Sequence, residues 1–357
     1  MSGVLLRLAC TAAVAAQAVL APAPAVAAPG PRPSVAQLLT DLQRLYRQTE
    51  RATETYNATT ERLRRQRAEV ARLDDELARA RLTLRSGRTD AGRLARQQYQ
   101  NSGGLGPYVR LLLAPDPQHA LDEGHVIGEL ARERARTVAR LTTAEKRTDV
   151  LARAARKALD TQLALAGRQK RQRDDVQAGL ADVERLLAAL TPEQIAAVAR
   201  LEQQGVAEAQ RRLTTAGALP DDRPATPPAT PQADRAVSYA MDQLGKPYQW
   251  GAQGPDAYDC SGLTSWAWSH AGTPIPRTSQ EQWQQLRRVP LKELRPGDLV
   301  VYFPEATHVA MYVGDGKVVQ APRPGEQVQV SPLASYPVLG AVRPGGSPGQ
   351  APATEAR

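Results

Sequence analysis

A regular spacing of apolar and small residues in the first half of the chain limits that half to long helices. Between residues 42 and 84 a set of positions follows an unbroken alternation of three- and four-residue steps. Side chains at these steps fall on one face of an α-helix, and such a seam is typical of a coiled coil. The seam positions are mostly apolar with a few polar interruptions: Leu42, Leu45, Thr49, Ala52, Tyr56, Thr59, Leu63, Gln66, Val70, Leu73, Leu77, Ala80 and Leu84.

A second, weaker seam runs from about Ile127 to Val183, and a segment rich in Gly and Pro at 101–120 separates the two. We therefore expect two helices that fold back on each other as an antiparallel hairpin. A helix of about 55 residues would extend about 80 Å. Two roles remain open for this helical coiled-coil region, 34–213. It is either a passive spacer or an arm that docks on a membrane or divisome partner or restrains the rest of the chain.

The first 28 residues have the pattern of a secretory signal peptide. Arg7 precedes an apolar run, and Ala25-Val26-Ala27 fits the small-residue rule for a cleavage site. We therefore expect a secreted protein of the cell wall or extracellular space. Cleavage would remove Cys10 and leave Cys260 as the single cysteine, which excludes an internal disulfide.

The formal net charge of the chain is +9, and most of the basic residues are Arg. One explanation is the codon composition of a GC-rich genome. The other is attraction to a polyanion such as an anionic wall polymer or a membrane surface. Nucleic-acid binding has little support, because no basic patch is interleaved with aromatic residues.

A compact domain is expected only in the last third of the chain, because all four Trp residues lie between Trp250 and Trp283. A Pro/Thr-rich linker at 214–232 precedes this domain. The domain itself is expected to span 233–344, with a disordered tail at 345–357. Its pattern predicts an amphipathic helix, a glycine-bearing loop, a second helix, a strand and a hairpin.

Cys260 is predicted to lie at the start of the second of these helices. Asp259 is a favourable N-cap residue, and Gly272 is a plausible stop. A thiol at a helix N-terminus feels the positive end of the peptide dipoles, which lowers its pKa and raises the thiolate fraction. A lone cysteine can also be a small buried side chain, but this placement favours a nucleophile.

His308 and Gln320 are expected to lie on neighbouring strands of the hairpin. A three-residue loop, Gly314-Asp315-Gly316, would pair Val313 with Lys317 and place His308 and Gln320 on the same face. A two-residue loop would place them on opposite faces. The three-residue register also gathers the apolar side chains on the other face, so the sequence favours it. Four scattered His residues and one exported Cys do not suggest a metal site.

Several ordered motifs carry a resemblance to a known family. They are Asp259-Cys260-Ser261-Gly262-Leu263, Pro296-Gly297-Asp298-Leu299 and His308-Val309-Ala310-Met311-Tyr312-Val313-Gly314, followed by Gln320. The segment 233–344 resembles the NlpC-type cell-wall endopeptidases, a papain-like family. The resemblance implies an α+β fold in which the Cys-bearing helix packs on an antiparallel sheet. The coiled-coil hairpin ahead of it is similar to segments of secreted actinobacterial wall hydrolases.

The resemblance also implies roles for individual residues. Cys260 would be the nucleophile, His308 the general base, and Gln320 the group that orients the imidazole, where the family often has His. Tyr248 matches a family tyrosine that donates toward the developing oxyanion. Four residues stand where the family lines its substrate groove: Asp259, Ser261, Arg277 and Ser279.

The implied reaction is hydrolysis of a peptidoglycan stem peptide, typically between D-γ-glutamyl and a diamino acid, without a cofactor. Two alternatives stay open. The first is an N-acetylmuramoyl-L-alanine amidase with a similar Cys/His pair. The second is a non-catalytic wall-binding adaptor with a coiled-coil partner arm.

Overall fold

The N-terminal half of the protein is a long helical hairpin. The computed structural model describes residues 33–101, 107–220 and 230–345. Helix α1 (Val35–Asn101) has 67 residues and helix α3 (Pro117–Ala188) has 72, so each is about 100 Å long. The short helix α2 (Pro107–Leu112) lies between them. No helix within the described ranges is long and apolar enough to cross a bilayer.

Helices α1 and α3 pack against each other over much of their length, which confirms the predicted hairpin. The amide of Gln169 donates to Thr60, the amide of Gln66 donates to the carbonyl of Ala158, and Arg88 pairs with Glu145. The sequence positions of these partners run in opposite directions, so the helices are antiparallel. Both helices are longer than the predicted 55 residues because the seams continue toward the tip.

The predicted seam on α1 does not face α3 everywhere. Leu73 and Leu77 pack with Ala155 and Ala158 of α3 in one apolar cluster. In the part of α1 that precedes Leu73, a run of polar residues is buried: Thr49, Glu50, Thr53, Glu54, Asn57 and Thr59. Part of this polar segment is covered by the C-terminal domain.

Helix α4 (Pro192–Thr215) follows the hairpin and attaches to the C-terminal domain. It begins at a Thr191 N-cap, and the side chains of Thr191 and Gln194 form a capping box. Glu202 forms a two-pronged ion pair with Arg323. Leu219, within the predicted linker, packs against the domain core. The predicted signal peptide, residues 221–229 of the predicted linker and the tail beyond residue 345 lie outside the described residues.

The C-terminal domain is an antiparallel sheet with helices on it. Its elements are α5 (Pro231–Met241), α6 (Cys260–His270), α7 (Ser279–Gln285), β1 (Arg287–Val289), β2 (Leu299–Tyr302), β3 (His308–Gly314), β4 (Lys317–Gln320), β5 (Gln329–Pro332) and β6 (Val338–Arg343), with short 3₁₀ turns at Leu291–Glu293 and Leu333–Ser335. The strand order is β1-β6-β2-β3-β4-β5. Each neighbouring pair is antiparallel.

The sheet buries both faces. On one face, α5 and α6 pack on a cluster that includes Leu263, Trp268, Val309 and Met311. On the other face, a second cluster includes Tyr302 and Tyr312, with Leu213 of α4 packed against it. The α+β class is confirmed, because the helix that begins at Cys260 lies on an antiparallel sheet and a long helical hairpin precedes both.

The β3–β4 turn differs from the predicted one. Gly314 pairs with Lys317 around a two-residue turn in which Asp315 and Gly316 have φ values of 52° and 65°. The predicted Val313–Lys317 pair is therefore wrong. An irregularity between Tyr312 and Gly314 then shifts the register, so that Met311 pairs with Val319. A tight turn plus a bulge gives the strands the same final register as the expected longer loop.

Candidate functional site

Cys260 is the first residue of α6, as predicted. The Asp259 side chain caps the helix, because its Oδ1 accepts the N–H of Gly262 at 2.6 Å. The thiol is unbonded to any other cysteine and only 3% exposed. The backbone N–H of Val309 points at the sulfur, so the nucleophile lies beside the start of β3.

His308 and Gln320 meet as the register predicts. Gln320 Oε1 lies 2.7 Å from His308 Nε2, and both side chains are buried. Because the amide oxygen accepts, Nε2 carries the proton in this tautomer. Nδ1 has no hydrogen-bond partner among the described residues, which leaves it as the nitrogen able to accept a proton.

Two aromatic rings flank the imidazole and were not anticipated from the sequence. The ring centroid of Tyr336 is 4.9 Å from that of His308, and that of Tyr302 is 5.7 Å away. Burial lowers the pKa of His308 to about 4, although the hydrogen bond that His308 donates to Gln320 opposes this. The imidazole is therefore neutral at pH 7 and able to act as a base.

Three of the four predicted groove residues form one buried network. Arg277 donates through Nη2 to Asp259 Oδ2 and through Nη1 to Ser261 Oγ, both at 2.7 Å. The ion pair is almost completely buried, so its two charges compensate each other. Ser279 lies next to this network, with its hydroxyl donating to the carbonyl of Ala306.

Tyr248 lies on the loop that leads into α6. Its backbone N–H donates to the carbonyl of Glu326 at 2.9 Å. Burial raises the pKa of its phenol well above the usual range, and the nearby Cys260 thiol raises it further. The phenol therefore stays protonated and close to the sulfur, as a hydrogen-bond donor should be.

Helix α1 contributes residues to this site that the sequence analysis missed. Glu54 accepts a hydrogen bond from Ser261 Oγ at 2.7 Å, and Asn57 donates to Asp259 Oδ2 at 3.0 Å. Glu50 Oε1 lies 3.6 Å from His308 Nδ1. The available signal was the polar interruption of the α1 seam at Thr49 and Thr59, where a pure coiled coil would carry apolar residues.

The pKa of Cys260 does not follow the helix-dipole expectation. Burial raises it well above the usual range, and the carboxylates of Glu54, Asp259 and Glu50 raise it further. Low dielectric and nearby negative charge both disfavour a thiolate, and here they outweigh the helix N-terminus. With α1 in place the predicted lowering is wrong, and the thiol is neutral.

The site shows no arrangement for a metal. Among residues 33–101, 107–220 and 230–345, no three His, Cys, Asp or Glu side chains are grouped so that they could hold an ion. The side chains described at the site supply a thiol, an imidazole and several hydrogen-bond donors.

The His308–Gln320 contact predicts that the pKa of His308 depends on the charge of residue 320. Replacing Gln320 with Glu should raise the pKa of His308 from about 4, because a carboxylate at this distance stabilises the imidazolium. The titration can be followed by NMR, since the chain has only four His residues. Gln327→Glu adds the same charge at an exposed position and should leave that pKa unchanged. An equal pKa in both variants would show that residues 308 and 320 do not touch in solution.

Comparison with known proteins agrees with this geometry. The sequence model of the NlpC/P60 family matches residues 245–339. A probable endopeptidase of Corynebacterium glutamicum is 44% identical over 131 residues, which cover 36% of this chain and 63% of that protein. A probable endopeptidase of Mycobacterium tuberculosis is 39% identical over 30% of this chain and 28% of its own length.

A third relative comes from Escherichia coli. The murein DD-endopeptidase MepH of Escherichia coli is 39% identical over 28% of this chain and 40% of its own length. The chain thus spans less than two thirds of each of these relatives. The similarity to the family is carried by the sheet domain, which contains Cys260, His308 and Gln320.

Proposed function

Because residues 245–339 form an NlpC/P60 domain, we propose that the protein is a secreted cysteine peptidase of peptidoglycan. It cleaves stem peptides at the bond between D-γ-glutamyl and a diamino acid, in cell-wall remodelling or daughter-cell separation. One observation carries the proposal: a cysteine at a helix start beside the strand that bears a neutral, Gln-oriented imidazole. The endopeptidase names of the relatives support the substrate class. The membrane or divisome partner of the helical hairpin stays a prediction.

The reaction begins with proton transfer from the Cys260 thiol to His308 Nδ1. The thiolate attacks the amide carbon, and a carbon–sulfur bond forms as the carbonyl oxygen takes up negative charge. We assign the phenol O–H of Tyr248 as the donor to that oxygen. The imidazolium then gives its proton to the leaving amine, and the carbon–nitrogen bond breaks.

Hydrolysis of the acyl-enzyme completes the cycle. His308 Nδ1 takes a proton from water, the hydroxide oxygen attacks the thioester carbon, and the carbon–sulfur bond breaks to release the acid product. Nδ1 then returns its proton to the Cys260 thiolate. Gln320 holds the ring through Nε2 in both halves of the cycle. Because Gln320 is neutral, it orients the imidazole without adding the charge stabilisation that a carboxylate would give.

Substrate binding is assigned to Asp259, Ser261, Arg277 and Ser279. Arg277 is held by Asp259 and Ser261, so its first role is to keep that carboxylate and that hydroxyl in position. Ser261 Oγ and the Ser279 N–H donate to Glu54 of α1 in this structure, and we assign the same two donors to an acidic or amide group of a wall peptide.

Digestion of defined muropeptides tests the proposed bond. We expect mass spectrometry to find fragments with a new amino group on the diamino acid and a new carboxyl on D-glutamate. The Cys260→Ala chain serves as the control and should give none. Release of an L-Ala amino group with the sugar chain intact would identify an amidase instead. Conversion of cross-linked dimers to intact monomers would identify a DD-endopeptidase.

Binding without turnover is the remaining outcome. If the chain sediments with purified peptidoglycan and yields no product, the adaptor function replaces the hydrolytic one.

A further inference from the structure

An open pocket lies beside the catalytic site, between helices α1, α6 and α7. Its volume is about 530 Å³, within the range of about 300–1,000 Å³ that is usual for small-ligand sites. Arg277, which holds Asp259 and Ser261 in position, forms part of its wall. The pocket therefore borders the proposed substrate groove, and no step of the proposed reaction uses it.

Part of the pocket wall is apolar. Trp266 of α6 lies there, together with Pro274, Ile275 and Pro276 of the segment that follows α6. Trp266 and Ile275 are only partly buried, so both keep apolar surface that a ligand can cover. A half-exposed Trp offers a broad, flat ring on which the apolar face of a ligand can stack.

The polar part of the wall carries neutral hydrogen-bonding groups. The side-chain amides of Gln253 and Gln285 line the pocket, and neither makes a hydrogen bond within the described ranges of the chain. Each amide has an oxygen that accepts and an NH₂ group that donates. Because Gln253 is half-buried, a ligand that bonds its amide replaces water that the pocket holds poorly.

The charged side chains at the pocket are already paired. Arg64 pairs with Glu61 at 2.9 Å, Arg65 lies 3.8 Å from Glu281, and Arg277 belongs to the buried network described above. A charged ligand would compete with these pairs, whereas a neutral ligand would leave them intact. The pocket therefore favours a neutral molecule with an apolar face and several hydroxyl or amide groups. An N-acetylated sugar has this chemistry.

The distance from the nucleophile matches the spacing in the wall polymer. Trp266 comes six residues after Cys260 on α6, so the two lie about 9 Å apart along the helix axis. In a stem peptide, L-Ala and a γ-linked D-Glu separate the sugar from the proposed scissile bond, and they span roughly 10 Å when extended. A stem peptide with its glutamyl carbonyl at the sulfur therefore reaches this pocket with its sugar.

We propose that this pocket binds the amino sugar that carries the stem peptide, with Trp266 stacked on the sugar ring and with Gln253 and Gln285 hydrogen-bonded to its hydroxyl and acetamido groups. The protein then selects glycan-linked stem peptides over free ones. The choice of sugar rests on the proposed function, but binding of the sugar requires no catalysis.

The first test is an NMR titration of the full-length chain, isotope-labelled at Trp, with the uncharged disaccharide N,N′-diacetylchitobiose. The four Trp residues give four indole N–H signals, and Trp266→Phe identifies the signal of Trp266. We expect that signal to shift and saturate, while the signal of Trp283, outside the pocket, stays in place. A Trp266 signal that does not move would overturn the proposal.

Substitution of the two amides tests the polar contacts. Gln253→Ala with Gln285→Ala should weaken binding of the disaccharide at least about fivefold, because hydrogen bonds to the sugar are lost. Gln284→Ala is the matched control, since it removes an exposed amide of α7 that does not line the pocket. Equal affinity of the double variant and the control would contradict the proposed site. Cellobiose has the same linkage without acetamido groups, and equally tight binding of cellobiose would overturn the assignment to an amino sugar.

The second measurement separates this site from the reaction itself. KM is determined for a stem peptide that carries its disaccharide and for the same peptide alone. We expect the KM of the wild-type chain to be at least about fivefold lower for the sugar-linked peptide, and the double variant to lose this difference. Equal KM values in the wild-type chain would overturn the proposal. Sugar binding without hydrolysis of either substrate would keep the sugar site and overturn the proposed hydrolytic function.

Discussion

Replacement of Cys260 by Ala is expected to lower peptidoglycan hydrolysis at least about 10⁴-fold, to the background of the assay. The physical reason is that no other nucleophile lies at the start of α6. Ser261, the next residue, already donates to Glu54 and accepts from Arg277. The fold should persist, because the change removes one sulfur from a site that is 3% exposed. Hydrolysis is measured for the wild-type chain and for a chain that carries both Glu50→Ala and Glu54→Ala. Each of the two is compared with the same chain after Cys260→Ala.

The control for this substitution is Ser269→Ala, on the exposed end of the same helix. It removes a hydroxyl from α6 without touching the site and should leave the rate unchanged. If the Cys260→Ala chain kept a tenth or more of the activity, the sulfur would not be the nucleophile, and the mechanism above would be wrong.

The second large effect is expected at Gly262, where α6 lies close to the loop that contains Ala252. Gly262→Ala is expected to lower the free energy of unfolding of the domain by about 3 kcal/mol. A Cβ at this position would lie 2.1 Å from the carbonyl oxygen of Ala252 and 2.8 Å from Asp259 Oδ1. The Ala252 oxygen cannot move freely, because it accepts the N–H of Asp259. The loop or the helix start must therefore shift.

Denaturant unfolding followed by Trp fluorescence measures this effect in the domain alone, since all four Trp residues lie between 250 and 283. Gly205→Ala in α4 is the matched control. Its Cβ would meet nothing within 4 Å, so it should be neutral or stabilise the protein by up to about 1 kcal/mol. A Gly262→Ala midpoint equal to that of the wild type would show that the close approach to Ala252 is absent in solution.

The seam of α1 is interrupted by polar residues in the segment that the C-terminal domain covers. A helix that packs only on α3 would gain stability from Leu or Ile at the seam positions Thr49 and Thr59. The chain instead keeps polar residues on this part of α1, and several of them are buried. The C-terminal domain accounts for part of this burial, because Glu54 accepts from Ser261 and Asn57 donates to Asp259.

Much of the architecture was predictable because it depends on local periodicity. The three-and-four spacing from Leu42 to Leu84 requires a long helix whatever its partner is. Asp259 before Cys260 determines where α6 begins, since a side chain that accepts an early helical N–H acts within four residues. The shared face of His308 and Gln320 followed from the alternation of a strand, although the turn that produces it was predicted incorrectly.

Tertiary structure alone decided what lies in front of the thiol. Glu54 and Ser261 are 207 residues apart, and no local pattern relates them. The pKa shift expected for Cys260 is also reversed, because burial and the nearby Glu54 and Asp259 outweigh the helix dipole. Sequence determined the helices, the strand faces and the order of the reactive groups, since these depend on neighbours along the chain. The access to Cys260 and the pKa of its thiol depend on where α1 packs on the C-terminal domain. That packing is determined by contacts between residues far apart in the sequence.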